Sequence, residues 1–482
     1  MSSLFASLST ASNALDVLQQ AIGVVQNNVS NSSTPGYVTQ TQNMTARAFD
    51  AAGNLWGGVQ ASGVESARNV FAEQSVWSAN EQTGQSTQQA SSLSSLQNYF
   101  DVSGTTGVPA ALSSLYSAFS AWSSNPTDTS SRQQVLTAAS NFSQSVQQTA
   151  TNVAQLRTQT DTQLSSTVSG INALTSQIAS INGEIQNDAG TPDAGVQSQL
   201  YNSLEQLSNL APITVTTASD GTATVLLGGQ SPLVLGKSSD ALQLQYTTPA
   251  NPTYTGAVPD AQILGANNQD VTVLANQGQL GGLLSFRNQT IPSVIGDSTQ
   301  QGSLNQLAQG VADSVNNTLT AGQISAGPPP VPGQPLFSYS PTTSLTQVAS
   351  NLTVSSTITA ATLAAGTAAV ANGTASQLAN LATSTTNPAT FNGLTSTAFY
   401  SGIASGIGQS EATATANQST QAQLLSQAQN MRAQVSGVSL NQQAALIQQY
   451  QQSYQAAAQV IQIVNTITQS LLTTMQQITS SS

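Results

Sequence analysis

Any catalysis in this chain would have to come from carboxylates. It contains no Cys and no His, which removes thiolate nucleophiles, Cys zinc sites and disulfides, the commonest general base, and any Ser-His-Asp arrangement. Lys237 is the only lysine, and it stands in Gly236-Lys237-Ser238-Ser239, a turn sequence in which a solvated charge is the plain reading. Neighbouring carboxylates can share acid–base work. The candidate pairs are Asp188/Asp193 and Glu65/Glu73, and both lie in polar or loop sequence with no aromatic pocket in view. Asp101, Asp220 and Asp270 read as turn residues. Gly228-Gly229 and Gly281-Gly282 lack the further elements of a phosphate-cradling loop. The sequence therefore points to no catalytic residue, no cofactor-binding residue and no metal site, and the chain reads as a non-enzyme.

The informative residues are instead apolar ones at helical spacing. From Leu440 to Ile478, positions Ile447, Tyr450, Tyr454, Ala457, Ile461, Val464, Thr468, Leu471, Met475 and Ile478 recur in steps of three and four. That is a heptad seam with one polar member, and no Pro or Gly interrupts it. The predicted helix is about 58 Å long at 1.5 Å per residue. Its opposite face is amide: Gln448, Gln449, Gln452, Gln455, Gln459, Gln462 and Asn465. A second seam lies at the other terminus, through Leu4, Leu8, Ala11, Leu15, Leu18, Ile22, Val25 and Val29. Two seams at opposite ends are natural partners.

Composition narrows the class. At 482 residues two to four domains are expected. Only 5% of residues are charged, against roughly a quarter in ordinary globular domains, so the polar surface must be built from Gln, Asn, Ser and Thr. A net charge of −12 is incompatible with holding a phosphate backbone, and nucleic acid is excluded as a partner. No apolar run of transmembrane length occurs, so no membrane insertion is expected. Leu4–Val29 is amphipathic and the first basic residue is Arg47; this is not the pattern of a cleavable secretory signal. Either the protein stays inside the cell or it leaves without such a signal.

Along the chain, the N-terminal seam stops at Asn27-Asn28-Val29-Ser30-Asn31-Ser32-Ser33-Thr34-Pro35-Gly36-Tyr37, where Pro-Gly favours the centre of a type II turn. Tyr37–Thr41 and Gly57–Val64 look extended. Helical pattern then runs to about Gly190, with Leu112, Leu115, Tyr116, Phe119 and Trp122 in one apolar stripe, read as core. Asn125-Pro126-Thr127-Asp128 breaks and caps before a long helix. At Pro212 the period changes to two: Ile213–Thr216, Thr222–Leu227 after an Asp220-Gly221 turn, Pro232–Leu235, Leu242–Tyr246 and Val271–Leu274 are strand candidates. A long helix is predicted over Ile291–Leu319, and Leu352–Thr359 is a possible strand. The expected domains are a 1–60 axial helix and turn, a 61–210 helical bundle and a 211–277 β-rich insertion. A helix over 278–320 returns to the bundle. A poorly defined insertion (321–392), bundle helix (393–435) and C-terminal axial helix (436–482) follow. The fold class is mainly α with β insertions, the terminal helices paired in a stalk and the β-rich domain inserted outward.

Some of this wording is specific. Asn27, Asn28, Asn31, Thr34, Pro35, Gly36 and Tyr37 after an N-terminal heptad helix resemble the signature of the flagellar axial proteins, the rod, hook and hook-associated family. Ser436, Gly437, Val438 and Leu440, followed by Tyr450-Gln451-Gln452-Ser453-Tyr454-Gln455-Ala456, resemble that family's C-terminal ending. One departure stands out: acidic residues usually follow the Leu, and here the chain reads Asn441-Gln442-Gln443, so a contact normally made by carboxylates must be neutral. Gly278–Arg287 resembles a segment of the hook-associated members in particular, and length and ending favour them over hook or rod proteins. The resemblance implies a structural protein at the hook–filament junction, extracellular and exported without a cleavable signal. It further implies self-association in a helical axial assembly, contacts with hook protein and a second hook-associated protein, and an export chaperone at the C-terminal helix. A hook or distal rod protein is the alternative within the family; an amide-rich surface adhesin or phage fibre is the alternative outside it.

Physics sets one further expectation. Two terminal helices paired only with each other bury about as much as ordering them costs, or less. They are expected to be loose in a free monomer and stable among neighbouring copies.

Overall fold

The computed structural model describes residues 2–50, 55–101, 103–187, 193–254, 257–325, 327, 329–339, 345–385 and 391–480. Helix α1 (Ser2–Ser30) ends at the Asn/Ser run, and Tyr37 N–H donates to Thr34 O across Pro35-Gly36, with Gly36 at φ +77°. A type II turn requires that positive φ. The chain then forms an antiparallel hairpin of β1 (Gln40–Ala46) and β4 (Val59–Ser66), bulged between Gln42 and Met44, with a short β2 (Phe49–Asp50) and β3 (Leu55–Trp56) at its end. The boundary expected at residue 60 therefore falls inside β4, which continues to Ser66.

Helix α2 (Val70–Gln97) starts at Asn69, whose side chain accepts from Ala72 N–H. After α3 (Gly107–Ser124), Asp128 caps α4 (Thr129–Asn187) by accepting from Ser131 N–H and Oγ. At 59 residues α4 is the spine of the body, about 88 Å long at 1.5 Å per residue. Asp193 caps α5 (Ala194–Leu210); its expected partner Asp188 lies outside the described residues. Strands β5 (Ile213–Thr217), β6 (Ala223–Leu227), β7 (Ser231–Leu235) and β8 (Ser238–Ser239) form a four-stranded antiparallel sheet in sequence order, beside the pair β9 (Gln243–Thr247) and β10 (Asp260–Leu264). Val271–Leu274, expected as a strand, is a turn: Asp270 accepts from Thr272 N–H, and Leu274 N–H reaches Val271 O.

The helix expected over 291–319 is broken. Helix α6 (Gly278–Ser285) runs through a π-turn at Phe286–Thr290 into α7 (Ile291–Ile295) and stops; α8 (Ser303–Thr320) begins afresh. Gly296 and Gly302, at φ +85° and +82°, pack backbone to backbone, and a Cβ on Gly302 would lie 2.2 Å from Gly296 N. The buried Asn305 side chain holds this break by donating to the carbonyls of Ile295, Gln301 and Thr346 and accepting from Ala349 N–H. The short elements β11 (Gln323–Ser325), β12 (Val331–Pro332), β13 (Phe337–Ser338), α9 (Val348–Asn351), β14 (Thr353–Val354) and α10 (Gly373–Asn380) follow. Of the strand expected over 352–359 only Thr353–Val354 is extended. The chain closes with α11 (Ser396–Ser436) and α12 (Leu440–Ser480).

Two hydrophobic cores share α4. One joins its first half to α3, α7, α8 and the start of α11, and it includes Leu336, Phe337, Leu363, Leu378 and Phe391. The segment expected as a poorly defined insertion (321–392) is thus part of the body. The other joins the second half of α4 to α5, α6, the β strands and Trp77 of α2. The mainly α class with antiparallel strands and long terminal helices is as the apolar periods predicted.

Glu81 on α2 is buried where these elements meet, its Oε1 accepting from Ile213 N–H at 2.9 Å. Burial pushes its carboxyl from the ordinary 4.5 up to about 7 despite that bond. A folded-state pKa above the unfolded one means that stability falls as pH rises from 4.5 through 7. Replacement Glu81→Gln keeps the acceptor and removes the charge. We expect it to stabilise the body by about 1–3 kcal/mol at pH 8 and to make almost no difference at pH 4.5, read from urea unfolding at the two pH values.

Candidate assembly interface and its joint to the body

Helices α1 and α12 pack against each other with little charge between them: Asp16 is the only charged side chain in α1 and α12 has none. Helix α1 buries Ala11, Val17, Ala21, Val25 and Asn28. Of the N-terminal seam, only Ala11 and Val25 are buried; Leu4, Leu8, Leu15, Leu18 and Ile22 are half-buried, and Val29 is exposed. The buried line is offset from the predicted one because Val17 and Ala21 face inward. On α12, Ile447, Tyr450, Ala457, Ile461 and Thr468 are half-buried and Val464 is buried, whereas Tyr454, Leu471, Met475 and Ile478 are exposed. The C-terminal end of the seam is therefore uncovered.

A further set of apolar residues on α12, missed by the heptad reading, is exposed as well: Val460, Ile463, Ile467 and Leu472. At about 100° per residue, Val460, Ile463 and Ile467 form a ridge roughly 90° around the helix from the middle of the seam, and the last seam member, Ile478, drifts onto the same line. Beside it, Leu4, Phe5 and Leu8 of α1 and Val464, Asn465, Thr468, Leu471, Leu472 and Met475 of α12 line a groove of about 130 Å³.

The motif residues gather where this stalk meets the body. Asn28 is fully buried and its amide makes four hydrogen bonds. It donates to Gln40 O (2.8 Å) and Gln443 Oε1 (3.0 Å), and it accepts from Gln40 N–H (2.9 Å) and Tyr37 Oη (2.9 Å). That is the full capacity of a side-chain amide. Gln443, 2% exposed, lies in the Asn441-Gln442-Gln443 stretch that departs from the resemblance, and its contact with Asn28 is between two neutral amides. Asn31 donates to Asn27 Oδ1 and accepts from Thr34 Oγ1, closing the turn on itself. Gly36 lies against α5, where a Cβ would meet Ser198 O at 2.5 Å.

Ser436 and Gly437 close the other side. Thr39 N–H donates to Ser436 O (2.9 Å), Thr39 Oγ1 to Gly437 O (2.8 Å), and Asn69 N–H to Ser436 Oγ (3.2 Å). A Cβ on Gly437 would sit 2.3 Å from Ala433 O, so this junction has no room for a side chain. Val438 is half-buried and Leu440 exposed.

Charge is concentrated next to this knot. Glu73, 1% exposed, takes Arg68 Nη1 at 2.6 Å and Arg432 Nη1 at 3.2 Å; Arg432 also reaches Glu205 at 2.6 Å. Arg68 lies 3.7 Å over the Tyr201 ring and donates to Gly36 O. These ion pairs tie α2, α5 and α11 together beneath the turn. Sequence reasoning weighed Glu73 only as half of a carboxylate pair with Glu65. Glu65 is instead on the hairpin, accepting from Asn43. The usable signal was scarcity: beyond Glu411, Arg432 is the only charged residue. Lys237 donates to Asn187 on the surface, and Asp101, Asp220 and Asp270 accept from their own turns.

Comparison with known proteins yields one consistent set. The family model described as flagellar hook-associated protein FlgK helical domain matches residues 93–337. The chain is similar to flagellar hook-associated protein 1 of Salmonella typhimurium (strain LT2), 27% identical over 335 residues that cover 68% of this chain and 58% of that protein. It is also similar to its namesakes in Escherichia coli K12 (24%, 67% of this chain, 58% of that protein) and Bacillus subtilis 168 (24%, 46% of each). The chain thus spans a little over half the length of the first of these relatives. Among solved structures, the flagellar hook junction protein FlgK from Burkholderia pseudomallei aligns at 28% identity with a TM-score of 0.48, covering 56% of this chain and 47% of that one.

Replacing Asn28 by Ala strands the Gln40 peptide, the Tyr37 hydroxyl and the Gln443 amide without partners. We expect a loss of about 2–4 kcal/mol of local stability, seen as faster amide exchange at Gln40 and Gln443 while the α4 core keeps its protection. Gln443→Glu places a carboxylate among neutral partners, and its stability should be lower at pH 8 than at pH 4.

Proposed function

The chain belongs to the FlgK family of flagellar hook-associated proteins, and from that premise we propose that it is a structural protein of the hook–filament junction, polymerising through α1 and α12. The observation that carries this reading is the stalk: a helix pair with Asp16 as its single charged side chain that leaves Phe5, Ile463, Ile467, Leu471, Leu472, Met475 and Ile478 open to solvent. A helix exposed for good to water is ordinarily charged on its outer face, and a contiguous apolar surface on an otherwise polar chain marks an interaction site.

The same surface accounts for the rest of the proposal. Many copies lying side by side repel one another if charged, and α1 and α12 carry a single charged side chain, Asp16. The body below the joint supplies its own two cores and needs no neighbour to fold. Hook protein beneath and a second hook-associated protein above are the neighbours this role requires. An apolar α12 also needs cover before assembly, which is the part an export chaperone would play. Export would proceed without a cleavable signal, and no helix among the described residues is long and apolar enough to cross a membrane. No chemistry is assigned to the chain in this role.

Immunogold labelling tests the position: label confined to the hook–filament boundary is expected, and label spread along the hook would mark a hook protein instead. Removal of residues 1–37 should abolish incorporation while the body over 60–435 stays folded by circular dichroism. Incorporation of that truncated chain would overturn the reading.

A further inference from the structure

The apolar surface of the stalk has two differently shaped parts. The groove between α1 and α12 is concave, with Phe5 63% exposed on its rim and Leu472 and Met475 on its wall. The ridge of Val460, Ile463, Ile467 and Ile478 is convex and faces roughly 90° away. We propose that the ridge of one copy seats in the groove of the next, so that each molecule uses both surfaces, on two different neighbours. This rests on the assembly reading above and specifies its contact.

Three observations favour a second copy of this chain as the occupant. The groove and the ridge match in character: both are mainly apolar, with Asn465 and Thr468 the polar members of the groove, and no charged side chain lies on α12. The two surfaces differ, so a self-contact between them is heterologous, and repeating it generates a ring or a helix; pairing ridge with ridge would end at a dimer and leave the groove wet. The area fits an array and does not fit a pair. On each copy the ridge offers four side chains 44–62% exposed and the groove offers Phe5, Leu471, Leu472 and Met475 at 44–63%, each set far short of the roughly 800 Å² per partner of a standard stable interface. Each contact then buries less than the ~1,200 Å² at which stable pairs begin. Isolated dimers should be weak, and order should appear only when each copy has neighbours on both sides.

The chain has no Cys, so single cysteines report the contact cleanly. Phe5→Cys and Ile463→Cys, both at exposed positions, are mixed in equal amounts as full-length protein, assembled and oxidised mildly. Cross-linked Phe5→Cys/Ile463→Cys heterodimers should exceed either homodimer at least fivefold by peptide mass spectrometry, with few cross-links in the unassembled mixture. Polymers in which Ile463→Cys homodimers predominate, or in which neither position cross-links, would overturn the ridge-in-groove contact while leaving self-assembly intact. Failure of wild-type and variant chains alike to form any polymer would overturn both.

Discussion

Helix α12 presents more apolar surface than α1 can cover, and that imbalance governs the rest of the molecule. The apolar arc of α12 spans roughly half the circumference, from Ile463 round to Ile447 at about 100° per residue. A single partner helix buries only one side of it. The uncovered remainder cannot be tolerated in water indefinitely by a chain so poor in charge. Either further helices arrive or the pair stays marginal. Everything below the joint, by contrast, closes its own cores, from Trp122 and Phe142 in one to Leu204 and Leu280 in the other.

The joint must therefore hold an unsatisfied stalk on a satisfied body, and it does so with saturated polar contacts. Asn28 spends all four of its hydrogen bonds on Tyr37, Gln40 and Gln443. Buried amides of this kind are costly if half-paired and rigid when fully paired. The close fit of Gly36 against α5 and of Gly437 against the last turn of α11 leaves little slack. Below them Glu73 holds Arg68 and Arg432 at once, so two of the few cations in the chain are used to fix where α11 lies before it turns into α12. With the neutral Gln443 as its partner for Asn28, the knot itself carries no charge.

How far the sequence foretells this follows from the physics of each part. The terminal helices, the Pro35-Gly36 turn, the Asp128 cap and strands β5, β6, β7 and β9 are local in origin, and period and capping residues disclose them, whereas β10 escapes that reading and Val271–Leu274, which fits it, is a turn. The break at Gly296–Gly302 is not local: it depends on Asn305 bridging to Thr346 and Ala349, and a helical period alone runs straight through it. The same holds for 321–392, whose Ala, Gly and Thr carry little pattern yet include Leu363 and Leu378 of the core. At the site, the motif residues were identifiable by resemblance, but their partners were not. Nothing in Gln443 announces that it meets Asn28, 415 positions away in the chain. The heptad reading also missed the ridge, because it assigned each residue to one seam and left no place for a second apolar stripe on the same helix.

Amide hydrogen exchange of α1 and α12, measured in the free chain and again after assembly, addresses the central claim directly. Rapid exchange beyond Val464 is expected in the free chain and protection along the whole of α12 once copies crowd together, with α4 protected throughout. Full protection to Ile478 in a solitary molecule would contradict it.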